Sequence, residues 1–441
     1  MAGTYAETLK IERPVTILGP NAGVKGYAAR AEEAKFEGTI SINSQGVTID
    51  GLAFTGHEAK ITESVNGTDR AATVIMQSAD DFKFVNNYVT SGKGIVFEVN
   101  TAVNFEMSNN FFDWTKENGA TGAWAWRPIR IDGKVTNFVF ANNKVIQTAD
   151  DDTSAGLYDI VYIQNAAGTV DIVNNNLVGY SYNWNFNIAN AKEVTELNFN
   201  YNYVDGVVTD GVNSGNTTIN VSGMGDNTNA NYIGNVVNTA GTTYSYDVAD
   251  AATYAGTITV TGNKFYSETY KPRIKKALAA ERVVHADNYI KAAAVTATGS
   301  FTFTMDGNVT DEAAFDAVKY EATAKEFTVN KFACGYVNGT HVYLASKYQF
   351  NAYYEAEVAL QYDVATGAYV VVAAEQNCSL QPGEYDLLLA VHGSCADAAA
   401  AEVIKGLKVG DKVVIEADYA TLTGYTASTD VAIKVLVYAA K

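Results

Sequence analysis

A six-residue phrase recurs through the first three quarters of this 441-residue chain. It consists of an apolar residue, a variable one, a small or polar one, asparagine, a variable one and a second apolar residue. It spans Phe84 to Val89, Met107 to Phe112, Phe140 to Val145, Ile172 to Leu177, Phe199 to Val204, Tyr232 to Val237 and Val260 to Phe265. The asparagines are Asn87, Asn110, Asn143, Asn175, Asn202, Asn235 and Asn263, and looser copies follow at Asn288 and Asn308. Two earlier phrases, Val15 to Gly19 and Val47 to Leu52, carry glycine at the same bend. The interval between asparagines varies from 20 to 33 residues. A fixed phrase at a variable interval means that one loop per repeat absorbs insertions while the strands keep register.

Each repeat too short to bury its own apolar face must bury it against its neighbours. Asparagine suits the bend because it tolerates left-handed backbone and bonds nearby peptide groups through its amide. Stacked in register, these amides are expected to form an internal ladder. Abundant Thr, Val, Tyr and Phe favour strands, and 36 glycines supply turns. The reading is an all-β chain whose residues 1–326 form a right-handed parallel β-helix solenoid of about ten coils.

At this point the chain resembles the pectin-lyase-like β-helix superfamily. The opening Gly3-Thr4-Tyr5-Ala6-Glu7-Thr8-Leu9-Lys10-Ile11, followed by Val15 to Asn21, is similar to the start of such helices in bacterial surface proteins and pectin esterases. The resemblance covers about residues 1–310. It implies a fold that hosts lyases, hydrolases, esterases, adhesins and inert stalks, so it implies no single activity.

The rhythm breaks near 311–319, where Asp311 to Lys319 reads as a short helix capping the last coil. From 327 to 441 longer alternating strands predict a smaller antiparallel β-sandwich or barrel domain. Examples are His341 to Ala345, Tyr353 to Leu360, Gly367 to Ala373, Glu384 to Val391 and Val431 to Val437. Inside the solenoid, Pro272 to Arg282 predicts a small basic helix on the outer wall.

Lys plus Arg number 31 against 49 Asp plus Glu, a net charge of −18. So acidic a surface repels phosphate backbones and anionic headgroups, which argues against nucleic-acid and membrane-surface partners. No apolar run reaches the roughly 20 residues a membrane helix needs, so no membrane insertion is expected. Patterned sequence begins directly after Met1-Ala2 with no signal peptide, which predicts that the natural protein continues upstream. Cys334, Cys378 and Cys395 are too few for a disulfide scaffold; one pair can bridge, and sequence does not say which.

The chemistry-bearing residues fall in the inserts between ladder positions. All four tryptophans, Trp114, Trp124, Trp126 and Trp184, lie on three adjacent coils with Tyr158, Tyr180 and Tyr182. Aromatic faces stack on sugar C–H surfaces, so these seven residues are expected to line a glycan-binding face. The competing reading is that the same loops cover the solenoid wall. Asp150, Asp151 and Asp152 are candidate Ca²⁺ ligands; three adjacent acids cannot all point one way, which favours a solvated loop. Four histidines, His57, His285, His341 and His392, have no metal or triad spacing.

Pectin-esterase-like helices need a Gln-Asp dipeptide, which is absent. Polygalacturonase-like helices need Gly-His-Gly, also absent; Asp80-Asp81 and Arg273-Ile274-Lys275 echo only fragments of their pattern. Pectate-lyase-like sites need acids that hold Ca²⁺ beside an arginine base. Arg127 or Arg130 with Asp132, Asp159 and Asp171 can be placed that way, making Arg127, Arg130, Asp132 and Asp159 the catalytic candidates. The leading expectation is an exported bacterial protein, extracellular or on the cell surface, that binds a polysaccharide or cell-surface glycan and needs no cofactor. The alternatives are a polysaccharide lyase or glycoside hydrolase in the same groove, with Ca²⁺ in the lyase case, and a stalk or surface-layer component that associates with itself.

Overall fold

A computed structural model describes residues 1–55, 61–65, 67–90, 95–114, 127–147, 159–179, 184–206, 219–238, 246–248, 255–274, 279–296, 298–299, 301–330, 336–338, 341–344, 356–363, 368–375, 387–391, 402, 404–415 and 432–440. The chain is almost entirely β and divides into two units, Met1–Glu312 and Ala313–Lys441, within the helix Glu312–Lys319. Among the described residues no helix is long and apolar enough to cross a membrane. Cys334, Cys378 and Cys395 lie outside the described residues.

The first unit is built from two long parallel sheets of 11 and 18 strands. Strands from successive repeats pair side by side in register: Tyr88 with Phe111, Phe111 with Lys144, and Lys144 with Asn176 in the smaller sheet. Within a strand the sequence alternates, which sends every second residue into the core. Ile129 and Ile131 are fully buried while Arg130 points outward, and Val161 and Ile163 bracket the outward Tyr162 in the same manner. One continuous apolar core runs from Ile11 to Phe303. A chain of aromatic contacts threads it, from Phe36–Phe54 at 5.5 Å through Phe84–Phe97 at 5.5 Å to Phe140–Phe186 at 5.6 Å.

The expected amide ladder is present. Each backbone N–H from Asn87 to Asn288 donates to the side-chain oxygen of the next ladder asparagine at 2.8–3.1 Å. Each side-chain amide donates both to that same oxygen and to a carbonyl of the preceding repeat, as Asn143 Nδ2 does to Asn175 Oδ1 (3.2 Å) and Met107 O (2.8 Å). The column is capped at its start by Leu52 N–H, which donates to Asn87 Oδ1 at 3.0 Å. Eight of these asparagines, Asn87 to Asn288, are at most 2% exposed.

One detail differs from expectation. The left-handed residue is the one before each ladder asparagine: Asn86, Asn109, Asn142, Asn174, Tyr201, Gly234, Gly262, Asp287 and Gly307 all have φ between 54° and 74°. The two jobs of the bend are therefore split between neighbours. One position takes the left-handed turn, where Asn, Asp and Gly are least strained, and the next supplies the amide.

A second corner went unread in the sequence. The long strands Ile95–Ser108, Ile129–Ala141 and Asp159–Val173 bend at Asn104, Asn137 and Gly168, which have φ of 59°, 53° and 66°. Asn137 Nδ2 donates to Asn104 Oδ1 at 3.2 Å, and Asn104 Nδ2 to Asp81 Oδ1 at 2.8 Å. A Cβ at Gly168 would lie 2.3 Å from Asn137 Oδ1. Gly168→Ala is therefore expected to lower stability by about 1–2 kcal/mol, read as a lower thermal midpoint, because it adds left-handed strain to a clash.

Of the basic helix expected at Pro272 to Arg282, the first three residues form instead the strand Pro272–Ile274, paired with Tyr246–Val248, and Ala280–Arg282 form a 3₁₀ turn, while 275–278 lie outside the described residues. The row of strands continues through this segment because Ile274, fully buried, joins the core. A proline is tolerated as the first residue of a strand.

The second unit holds one eight-stranded sheet. It is mixed where a purely antiparallel domain was expected: His341–Leu344 runs parallel to Leu387–Val391, and every other described pairing is antiparallel. Its first strand, Tyr320–Asn330, pairs with its last, Ala432–Ala440.

Candidate functional site

The catalytic candidates converge on the outer face of the 18-stranded sheet. Alternation in Ile129-Arg130-Ile131-Asp132 puts both polar side chains outward, two residues apart on one strand. Arg130 grips Asp132 as a fork, Nε to Oδ1 at 3.0 Å and Nη2 to Oδ2 at 2.7 Å. Parallel pairing sets Arg130 beside Tyr162, and Tyr162 beside Asn187. Asp159 opens its strand and is fully buried, accepting from Arg127 Nε at 2.7 Å and from Asn187 Nδ2 at 3.3 Å. Asn187 Oδ1 in turn accepts from Asn220 Nδ2 at 2.8 Å. The Arg127 guanidinium lies 4.3 Å from the centre of the Tyr162 ring. Such a contact adds cation–π attraction to the ion pair.

Burial and charge act against each other here. Loss of water raises the Asp159 carboxyl above the ordinary aspartate range, and the Arg127 charge and the two hydrogen bonds partly offset this. Tyr162 is also raised, first by burial. Asp159→Asn is expected to lower stability by about 2 kcal/mol, checked by urea unfolding, because Arg127 loses its charged acceptor while 15% exposed.

Sequence reasoning missed two members. Glu98 is the register partner of Asp132 on the adjacent strand, so the two carboxyl groups face outward side by side. Neighbouring strands stand about 4.8 Å apart. Burial, and then the charge of Asp132, raise the Glu98 carboxyl; Arg70 and Arg130 pull it back. Arg70 reaches Glu98 at 3.4 Å from the hairpin Ile61–Val65 and Thr68–Ala72. That hairpin packs on the sheet through Val65, Ala72 and Ile75 with Ile61 and Val96. No motif spacing could have found the pair, since Glu98 and Asp132 meet only through register.

The aromatic candidates are placed differently. Trp114 ends the strand Phe111–Trp114 of the 11-stranded sheet, paired with Gln147, and is 2% exposed. Trp184 opens the strand Trp184–Ile188 of the 18-stranded sheet, paired with Asp159. Trp124, Trp126, Tyr158, Tyr180 and Tyr182 lie outside the described residues, as do Asp150, Asp151 and Asp152. Asp171 stands on the far half of the strand Asp159–Val173 and accepts from Asn198 Nδ2 at 2.8 Å, away from the arginines. Among the described residues no group of three or more His, Cys, Asp and Glu is placed to hold a metal ion.

No protein-family model, no curated protein and no solved structure matches this chain. Any functional reading therefore rests on the site itself.

Proposed function

We propose that the first unit winds as a right-handed parallel β-helix of the pectin-lyase-like kind, in an exported surface or secreted protein, and that the Arg127–Arg130–Tyr162 face binds carbohydrate. The handedness follows from the near-universal right-handed crossover between parallel strands of one sheet. The observation that carries the binding reading is the Arg127 guanidinium clamped between the Asp159 carboxylate and the Tyr162 ring, with the Arg130–Asp132 fork on the adjoining strand. Side chains held by their neighbours lose little freedom when a ligand arrives, which suits recognition of hydroxyl and ring surfaces. Arg130, whose side chain is 41% exposed, is the donor most open to a ligand.

A lyase needs an arginine nitrogen aimed at a sugar carbon. Both arginines are instead turned onto carboxylates, which supports binding over elimination. A second reading, glycoside hydrolysis, draws on Glu98 and Asp132. Two close carboxyls in different environments, one raised and one gripped by arginine, can divide acid and base roles.

The test is a glycan-array screen of the full chain with and without Ca²⁺, reading retention and reducing-end release together. Binding predicts retention without release, weakened by Arg130→Ala. Release abolished by Glu98→Gln would establish hydrolysis instead. Ca²⁺-dependent release with an unsaturated product would establish a lyase. No retention and no release on any glycan would remove all three and leave a stalk or self-associating component.

A further inference from the structure

The 11-stranded sheet carries a second outward row, remote in register from the arginine face. Tyr88, Phe111, Lys144, Asn176 and Tyr203 occupy equivalent positions on five consecutive strands. Their inward neighbours Val89, Phe112, Val145, Leu177 and Val204 are buried in the core, whereas all five row members keep part of their surface exposed. The rings of Tyr88 and Phe111 lie 5.5 Å apart, and Lys144 Nζ sits 5.3 Å from the centre of the Phe111 ring.

Lys144 forms no ion pair with a described carboxylate, although Asp113 lies near enough to act on its charge. Asp113 accepts from the Tyr88 hydroxyl at 2.9 Å, and Asp205 accepts from the Tyr203 hydroxyl at 3.0 Å. The result is a row of aromatic side chains, the Tyr88 and Phe111 rings tilted 51° to one another, around one cation partly withdrawn from water. Its charge complement is a single carboxylate, and its apolar complement is a row of C–H surfaces.

We propose that this strip binds an acidic polysaccharide in which isolated carboxylates alternate with uncharged sugars, Lys144 pairing with one carboxylate while Tyr88, Phe111 and Tyr203 stack on neighbouring rings. A polymer charged on every sugar is disfavoured, because the chain carries a net charge of −18. The proposal extends the carbohydrate reading to another face and another ligand class.

The experiment uses the full chain and immobilised hyaluronan, carboxyl-reduced hyaluronan, polygalacturonate and dextran. Expected is retention on hyaluronan above the other three, with affinity reduced about tenfold or more by Lys144→Met and unchanged by Lys134→Met, which removes a surface lysine paired with Glu193. Circular dichroism of each variant reports whether the fold is kept, and Lys144→Arg restores binding. Equal retention on the carboxyl-reduced polymer, or a folded Lys144→Met variant that binds as well as the parent, overturns the proposal. If Arg130→Ala abolishes retention while Lys144→Met does not, this inference falls and the arginine-face reading stands. Loss of retention on every polymer and every array glycan removes both.

Discussion

Replacing Asn143 with leucine is expected to lower the stability of the first unit by about 4 kcal/mol. Leucine fits by volume, but the asparagine amide and carbonyl serve four polar groups on three neighbouring residues. Asn143 Nδ2 donates to Met107 O and Asn175 Oδ1, and Asn143 Oδ1 accepts from the backbone and side-chain amides of Asn110 at 3.0 Å each. With leucine there, buried groups on two adjacent repeats lose partners that no water can replace. Each such loss costs about 1–3 kcal/mol. Asn143→Asp is expected to be at least as damaging, since it sets an acceptor against the Met107 and Asn175 oxygens. Urea unfolding followed by circular dichroism measures this; the control is Asn308→Ala, on the partly exposed last rung, expected to cost about 1 kcal/mol. Equal midpoints for Asn143→Leu and the parent would show that the column contributes nothing.

The second large effect is on acid sensitivity. His285 sits between Tyr270 and Phe303, its Nε2 2.8 Å from Tyr270 Oη and its Nδ1 3.2 Å from Asn308 Nδ2. Burial pushes it down from 6.5 to about 4, so the folded chain holds it neutral where the unfolded chain takes up a proton. Its contribution is intact above pH 6.5, declines as the pH falls through the unfolded value, and is fully lost below about 4. The difference corresponds to about 3 kcal/mol. Glu98 and Asp159 act in the opposite sense: their raised carboxyls favour the folded state on the acid side and lose that contribution as the pH rises through their folded values. The His285 part is isolated by comparing the parent with His285→Gln in urea at pH 7.5 and pH 4.5. The gap between them should narrow by most of that amount at the lower pH. A gap independent of pH would mean that His285 is not the titrating group.

The ladder was legible because it is written in one residue type at one position of a local phrase. Asn110, Asn143 and Asn175 announce themselves without any knowledge of partners, since their surroundings repeat with them. The corner at Asn104, Asn137 and Gly168 escaped notice because three different local sequences serve it and the left-handed residue is asparagine twice and glycine once. The segment from Pro272 misled for a related reason. Its charges fit a helix face, yet the strand row needed Ile274 in the core, and burial outweighed local propensity.

The candidate site divides in the same way. Arg127, Arg130, Asp132 and Asp159 could be named from residue type and their closeness to ladder positions, but Glu98 and Arg70 could not. Glu98 meets Asp132 only because two strands 34 residues apart align in one register, and Arg70 arrives on a hairpin. The outward row through Phe111 and Lys144 was equally silent, because each residue stands on a separate strand and means nothing alone.

By itself, then, the sequence determined an all-β first unit of stacked parallel strands with a buried amide column, because periodic apolar and asparagine positions admit few other ways to be buried. Which outward side chains become neighbours was decided only in three dimensions. Parallel register converts a difference of one residue in strand alignment into a different face, and no local signal records that choice.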